Sequence, residues 1–423
     1  MKVLKTKASF HININTILLT LLFFFMHNCF YLVDSSHKIL GIIGYQDFLF
    51  LYCFLICIYY YTRYPKNYFQ GTFAKVILFV PIIVILSSFM AYAYYGQSLI
   101  SGILTQRAWL ITMFLYFPFM ALIRNGKLNF ESFLSIMYKV VFFELILYFI
   151  QYFVGESMMF LKVIYNYRYG TLRLYCDTAY MTLLATFATV KFMNKEKIIK
   201  NAFFITAVIS YVFIVNKGRS ACMILLLTIA LVILLSKSNI IYKIVIMVLA
   251  SFLGLYVFLS TETVQEFIAI IFQSADDVTY NVRLQSQQYY LSKLNSTNGA
   301  WVFGFGYPNS TNPNSMAATG VYLGYLLADN GIYGFLFCYG LLGAIWYLYS
   351  LLVQIKSSIR LLYKKSKDSA MIVTVVIGLA SIVTNVQFFY SFYSFYSVLV
   401  FIAIELLFKK YEVIYKVKNN ELF

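Results

Sequence analysis

Apolar stretches of about twenty residues recur along nearly the whole chain, and that recurrence leaves few folds open. A helix of that length spans roughly 30 Å of hydrocarbon while satisfying its own backbone hydrogen bonds, which an open sheet or an irregular loop cannot do in lipid. Twelve such stretches are centred near Leu22, Phe50, Val84, Phe114, Leu147, Leu184, Ala207, Leu227, Met247, Leu341, Val376 and Leu399. The composition agrees: 61% of residues are hydrophobic and 12% charged, against about 45–50% and 25% in soluble domains. The sequence therefore predicts an all-α, polytopic membrane protein, a single integral domain over residues 1–423 with about twelve transmembrane helices and one long outer loop between spans nine and ten.

Basic residues orient the chain, because cytoplasmic loops collect Lys and Arg. With the N-terminus inside, nine of the 33 basic residues face outward: Lys38, Arg107, Lys162, Arg168, Arg173, Lys217, Arg219, Arg283 and Lys293. The other 24 occupy inward turns and the two ends, at least two to each turn, as in Arg63 with Lys66 and Arg124 with Lys127. Both termini are expected to be cytoplasmic. The net charge of +17 then reflects topology and anionic lipid and gives no case for nucleic acid. The run from Ile12 to Val33 is longer than a signal-peptide core and no Ala-x-Ala-like site follows, so it is read as the first span. The six cysteines lie in or beside spans without a CxxC pair, and His11, His27 and His37 have no carboxylate cluster near them in sequence. No disulfide, metal site or cofactor is expected.

The outer basic set differs in kind from the inner one. Lysine dominates inside, whereas five of the eight arginines lie outside. Topology alone does not require that switch. A guanidinium presents a fixed fork of donors that matches phosphate oxygens in pairs, while an ammonium is a hydrated point charge. An outward arginine set near the membrane surface points to a phosphate or diphosphate ligand; the plainer alternative is helix-end arginines snorkelling to headgroups.

Three outer segments carry these residues. In YNYRYGTLRLYCDTAY, Tyr165 to Tyr180, Arg168, Arg173 and Asp177 precede or enter the sixth span. If helical, Arg173 and Asp177 share a face and could form an i, i+4 ion pair; otherwise Arg173 meets a phosphate and Asp177 accepts a proton from a sugar hydroxyl. The tight turn VNKGRSACM places Arg219 beside a helix N-terminus, with Gly218 permitting the turn and Ser220 in position to cap the helix. The third segment is the loop over 261–320, long enough to expect a function. Its TVQEFIAIIF stretch reads as amphipathic and surface-lying, and DDVTYNVRLQSQQYYLSKL as a helix with Arg283 and Gln287 on one face. GFGYPNSTNPNSMAATG then offers turns and many hydrogen-bonding groups. Most of the aromatic residues belong to the interfacial belt or to lipid-facing surface. Tyr165, Tyr167, Tyr169, Tyr289, Tyr290, Trp301 and Tyr307, in outer polar segments, are the ones placed to touch glycan.

The KGRS turn, the arginine-bearing loop helix, the GFGY segment and the following YLGYLLADNGIYGFLF resemble, in order and topology, the superfamily of O-antigen ligases and Wzy-type polysaccharide polymerases. The similarity runs over about residues 165–350. It implies a many-spanning protein of the bacterial plasma membrane that joins polyprenyl-diphosphate-linked oligosaccharides on the outer face, in the company of a flippase and a chain-length regulator. By position, Arg219 and Arg283 match the family's outer arginines that hold the lipid diphosphate. Ligases of the superfamily carry a histidine shortly before the YL of the last motif; Thr319 and Gly320 stand there instead. That departure favours a polymerase over a ligase.

The expected chemistry needs fixed cations for the departing diphosphate and a base for the acceptor hydroxyl. Arg173, Arg219 and Arg283, with Arg168, Tyr289 and Tyr307, are the expected substrate-binding residues. Asp177 and Asp329 are the expected bases, ahead of Glu156, Asp276 and Asp277. A transporter of the same lipid-linked substrate is the alternative, against which stand the long outer loop and the lack of a visible internal repeat.

Overall fold

A computed structural model describes residues 14–34, 38–39, 43–168, 171–176, 178–260, 278–363 and 391–420. It is mostly helical, with two short antiparallel strand pairs. In the first half are α1 (Ile14–Met26), α2 (Tyr45–Arg63), α3 (Pro65–Tyr68), α4 (Ala74–Leu78), α5 (Val80–Tyr95), α6 (Leu99–Thr105), α7 (Arg107–Phe114), α8 (Tyr116–Arg124) and α9 (Phe130–Val154). A minimal pair, β1 (Lys38–Ile39) with β2 (Ile43–Gly44), precedes α2. A second, β3 (Tyr165–Arg168) with β4 (Thr171–Leu174), follows α9. Then come α10 (Ala179–Met193), α11 (Ile198–Ser210) with a π-helical turn Tyr211–Asn216, α12 (Arg219–Leu235), α13 (Ile240–Ser260), α14 (Val278–Ser296), α15 (Ala300–Phe303), α16 (Pro313–Ala318), α17 (Gly331–Tyr363) and α18 (Ser391–Asn420).

Eleven of the twelve expected span centres fall on these helices; the one near Val376 lies outside the described residues. Among the described residues, five helical stretches are long and apolar enough to cross a membrane: Ala74–Tyr95, Arg107–Arg124, Phe130–Val154, Ile198–Asn216 and Gly331–Leu361. Four more apolar stretches are shorter among the described residues, Ile14–Met26, Ala179–Met193, Ala221–Leu235 and Ile240–Leu249, the last two being parts of α12 and α13. The chain is thus a membrane-embedded, predominantly α-helical protein.

Local chemistry explains several boundaries. Asn129 caps α9 by accepting from the Ser132 amide at 2.8 Å, and Ser132 Oγ accepts in return from the Asn129 amide at 3.2 Å. On α10 the hydroxyls of Thr182, Thr186 and Thr189 donate to carbonyls four residues back, so a polar row crosses an apolar helix without unmet donors. Glu405 on α18 accepts from the Thr72 amide at 2.5 Å and from Tyr116 Oη at 2.7 Å, which ties the turn before α4 to two other helices.

Helix α17 breaks at Gly340, where φ is 59° and ψ −161°. The break leaves the carbonyls of Phe337 and Cys338 without their usual helical donors. The amides of Phe305 and Gly306 take their place, at 2.7 and 3.0 Å. The GFGY segment therefore lies flat against the broken helix on one side and against α5 on the other. A Cβ on Gly306 would stand 2.3 Å from the Ala91 amide nitrogen and the Ser87 carbonyl oxygen. Irregular backbone among apolar helices is tolerated where protein meets its polar groups, and here two amides and two carbonyls are matched in that way.

Candidate functional site

The C-terminal end of α11 meets the β3–β4 hairpin, and this junction holds a well-organised cationic group among the described residues. In the hairpin Arg173 pairs with Asn166 and Tyr165 with Leu174. Gln151 steadies its approach, accepting from the Phe160 and Leu161 amides at 2.8 and 2.9 Å and donating to the Gly155 carbonyl at 2.9 Å. Arg173 is thus on a strand, and the helical i, i+4 relation to Asp177 does not occur. Asp177 lies outside the described residues.

Arg173 reaches the end of the π-helical turn. Its Nε donates to the Asn216 carbonyl at 2.7 Å and its NH1 to Tyr175 Oη at 3.1 Å, with the guanidinium 4.1 Å from the centre of the Tyr175 ring. Asn216 Nδ2 donates back to the Cys176 carbonyl at 2.9 Å. The next residue, Lys217, adopts a left-handed φ of 50° and is 1% exposed. Its Nζ donates to Thr171 Oγ1 and, at 2.8 Å, to the Leu172 carbonyl, and lies 5.4 Å from the Tyr152 ring centre. A helix C-terminus offers unpaired carbonyls and partial negative charge, so both cations are in a favourable place.

The KGRS turn is as tight as expected. Helix α12 begins at Arg219, with Gly218 extended at the N-cap, so Ser220 lies inside the first turn and does not cap it. The side chains of Arg219 and Arg168 lie outside the described set. By backbone position Arg219 opens α12 two residues after Lys217, and Arg168 ends β3 opposite Thr171.

The remaining candidates form a second group around α14, the helix expected for Arg283. Arg283 is exposed and Gln287 half-buried. Ser286 Oγ donates to Asn330 Oδ1 at 2.6 Å, which ties α14 to the turn carrying the exposed Asp329. Tyr289 Oη donates to the Ala318 carbonyl at 3.0 Å and its ring lies 5.5 Å from that of Tyr325, so it packs at the end of α16. Tyr290 Oη donates to the Thr319 carbonyl at 3.1 Å, and burial pushes its phenol above the ordinary value, which keeps the donor protonated. Tyr307 sits elsewhere, its amide donating to Ser87 Oγ at 2.9 Å and its carbonyl accepting from Gln97 Nε2 at 3.3 Å. Arg173 and the start of α12 are thus brought together, as are Arg283, Tyr289 and Asp329. The two groups have separate anchors, α9 and α11 for the first, α15 and α17 for the second. Of the weaker candidates, Glu156 accepts from Tyr167 Oη at 2.8 Å, and Asp276, Asp277, Tyr169 and the TVQEFIAIIF stretch lie outside the described residues.

Sequence reasoning passed over a buried polar cluster below the hairpin. His27 Nδ1 lies 2.8 Å from Glu144 Oε2, both side chains 1% exposed, and Tyr148 Oη donates to Glu144 Oε1. The His27 ring stacks on Tyr180 with centres 4.1 Å apart, and Tyr148 stacks on Tyr211 of the π-helical turn at 5.5 Å. No neighbour in sequence supplies this partner, since Glu144 arrives from 117 positions away. A signal was present: Glu144 is a lone acid inside a long apolar run, and an ionisable residue at that depth demands a partner.

No protein-family model and no curated protein matches the chain.

Proposed function

We propose that the chain is a membrane glycosyltransferase, a Wzy-type polymerase that joins polyprenyl-diphosphate-linked oligosaccharide repeat units on the outer face of the bacterial plasma membrane. The observation supporting it is the arginine junction. Arg173 is fixed by the Asn216 carbonyl and Tyr175, next to a helix start that carries Arg219.

In the proposed reaction an acceptor hydroxyl attacks the anomeric carbon of the donor sugar. A glycosidic C–O bond forms, the bond to the diphosphate oxygen breaks, and polyprenyl diphosphate departs with the electron pair. Guanidinium groups already held in place, together with the amides of the α12 N-terminus, stabilise the growing charge without rearranging. The acceptor proton goes to a carboxylate, with Asp177 and Asp329 the candidates. Arg283, exposed on α14, is the third candidate for the diphosphate.

The experiment is reconstitution of purified protein with two defined lipid-linked repeat units. A longer lipid-linked glycan formed without nucleotide sugar, metal or ATP supports polymerisation. Translocation without a new glycosidic bond would instead support the transporter alternative. The broken helix α17 does not favour that alternative, because its freed carbonyls are taken by Phe305 and Gly306, whereas transporters aim such groups at substrate.

A further inference from the structure

A groove of about 840 Å³ opens at the opposite end of the bundle, where the start of α9, the end of α10 and the start of α11 meet. Its floor is apolar. Tyr138 and Phe204 meet edge-on at 4.9 Å, and Tyr138 Oη donates to the Leu184 carbonyl at 3.4 Å. Along one wall, Leu134, Tyr138 and Phe142 recur every four residues on α9. At 1.5 Å per residue that strip is roughly 12 Å long and runs with the helix.

The rim is cationic. Four lysines line it, Lys139, Lys191, Lys197 and Lys200, against Glu131 and Glu196. Glu131 is already committed, 2.9 Å from Lys191 and 3.6 Å from Lys410. Among the described residues the ammonium groups of Lys139, Lys197 and Lys200 have no hydrogen bond or ion pair. Lys197 and Lys200 share the entry to α11, and Lys197 holds a left-handed φ of 43°.

An apolar strip parallel to the helices below an unneutralised cationic rim matches an acyl chain below an anionic headgroup, and matches neither a sugar nor a soluble anion. By the excess of basic residues this end faces the cytoplasm, where the leaflet carries anionic lipid. We infer that the α9–α10–α11 groove is a binding site for an anionic phospholipid of the cytoplasmic leaflet, held by Lys197, Lys200 and Lys139 at the headgroup and by Leu134, Tyr138, Phe142 and Phe204 along a chain. The inference does not depend on the glycosyltransferase reading, since it concerns the other face of the membrane.

Native mass spectrometry of the full chain, exchanged into phosphatidylglycerol or phosphatidylcholine of the same chain length, tests it. Wild-type protein is expected to retain phosphatidylglycerol at least about tenfold more than phosphatidylcholine, and Lys197→Gln/Lys200→Gln to lower that retention about tenfold or more. Lys197→Arg/Lys200→Arg keeps it. Lys66→Gln/Lys127→Gln removes the same charge from other turns at the same end and leaves retention unchanged. Equal retention of the two lipids, an equal loss in the Lys66/Lys127 variant, or no retained phosphatidylglycerol in the wild type would overturn the proposal.

Discussion

His27 on α1 and Glu144 on α9 stand 117 positions apart in the chain and 2.8 Å apart in the fold, both side chains almost wholly buried. Removing one member of such a pair strands the other. Glu144→Ala is expected to destabilise the protein by about 3–5 kcal/mol, whereas His27→Leu/Glu144→Leu should recover much of the loss because a packed apolar pair needs no solvation. Thermal unfolding in detergent checks both. A single variant as stable as wild type would show that the pair contributes nothing.

Arg173 is held by a side-on bond from Nε that a lysine cannot reproduce. Arg173→Lys should keep membrane insertion and charge while reducing lipid-linked polymer at least about tenfold. Arg219→Lys and Arg283→Lys are expected to shorten the polymer likewise. Glycan length on gels, beside protein level in the membrane fraction, separates the two effects. Wild-type chain lengths from all three variants would remove the diphosphate role.

Lys217 ties the hairpin to the end of α11 through Thr171 and Leu172. Lys217→Met removes both donors and leaves the Leu172 carbonyl unmet, a loss of about 1–3 kcal/mol. The consequence should be local. Hydrogen exchange over residues 163–176 is expected to accelerate while exchange in α5 and α9 stays as in wild type; a uniform change would argue for a global role instead.

Gly306 has no room for a side chain, and its φ of 85° suits only glycine. Gly306→Ala should destabilise by about 2–5 kcal/mol, combining backbone strain with overpacking against Ser87 and Ala91. Unfolding temperature and yield of monodisperse protein measure it. A neutral result would mean that the loop shifts away from α5 at little cost.

Elements governed by local pattern were legible in the sequence. The apolar runs marked the helices, the Val278–Ser296 helix followed from its own composition, and Lys217–Gly218 announced a tight turn. Features set by distant contacts were not. The strands of the β3–β4 hairpin have four residues each, too short for a clear alternation, so Arg173 read as equally able to be helical. Nor did the sequence show that Tyr289 donates to the Ala318 carbonyl and packs beside the Tyr325 ring. The break at Gly340 showed no proline, because glycine allows the turn and only the partner amides from residues 305 and 306 make it stable.

That break has a mechanical consequence. Residues 305 and 306 are hydrogen-bonded to the upper half of α17, so lifting the segment away would abandon two carbonyls in apolar surroundings. The segment and the half-helix before Gly340 are thereby coupled, so that a displacement of residues 305 and 306 would carry the stretch around Phe337 and Cys338 with it.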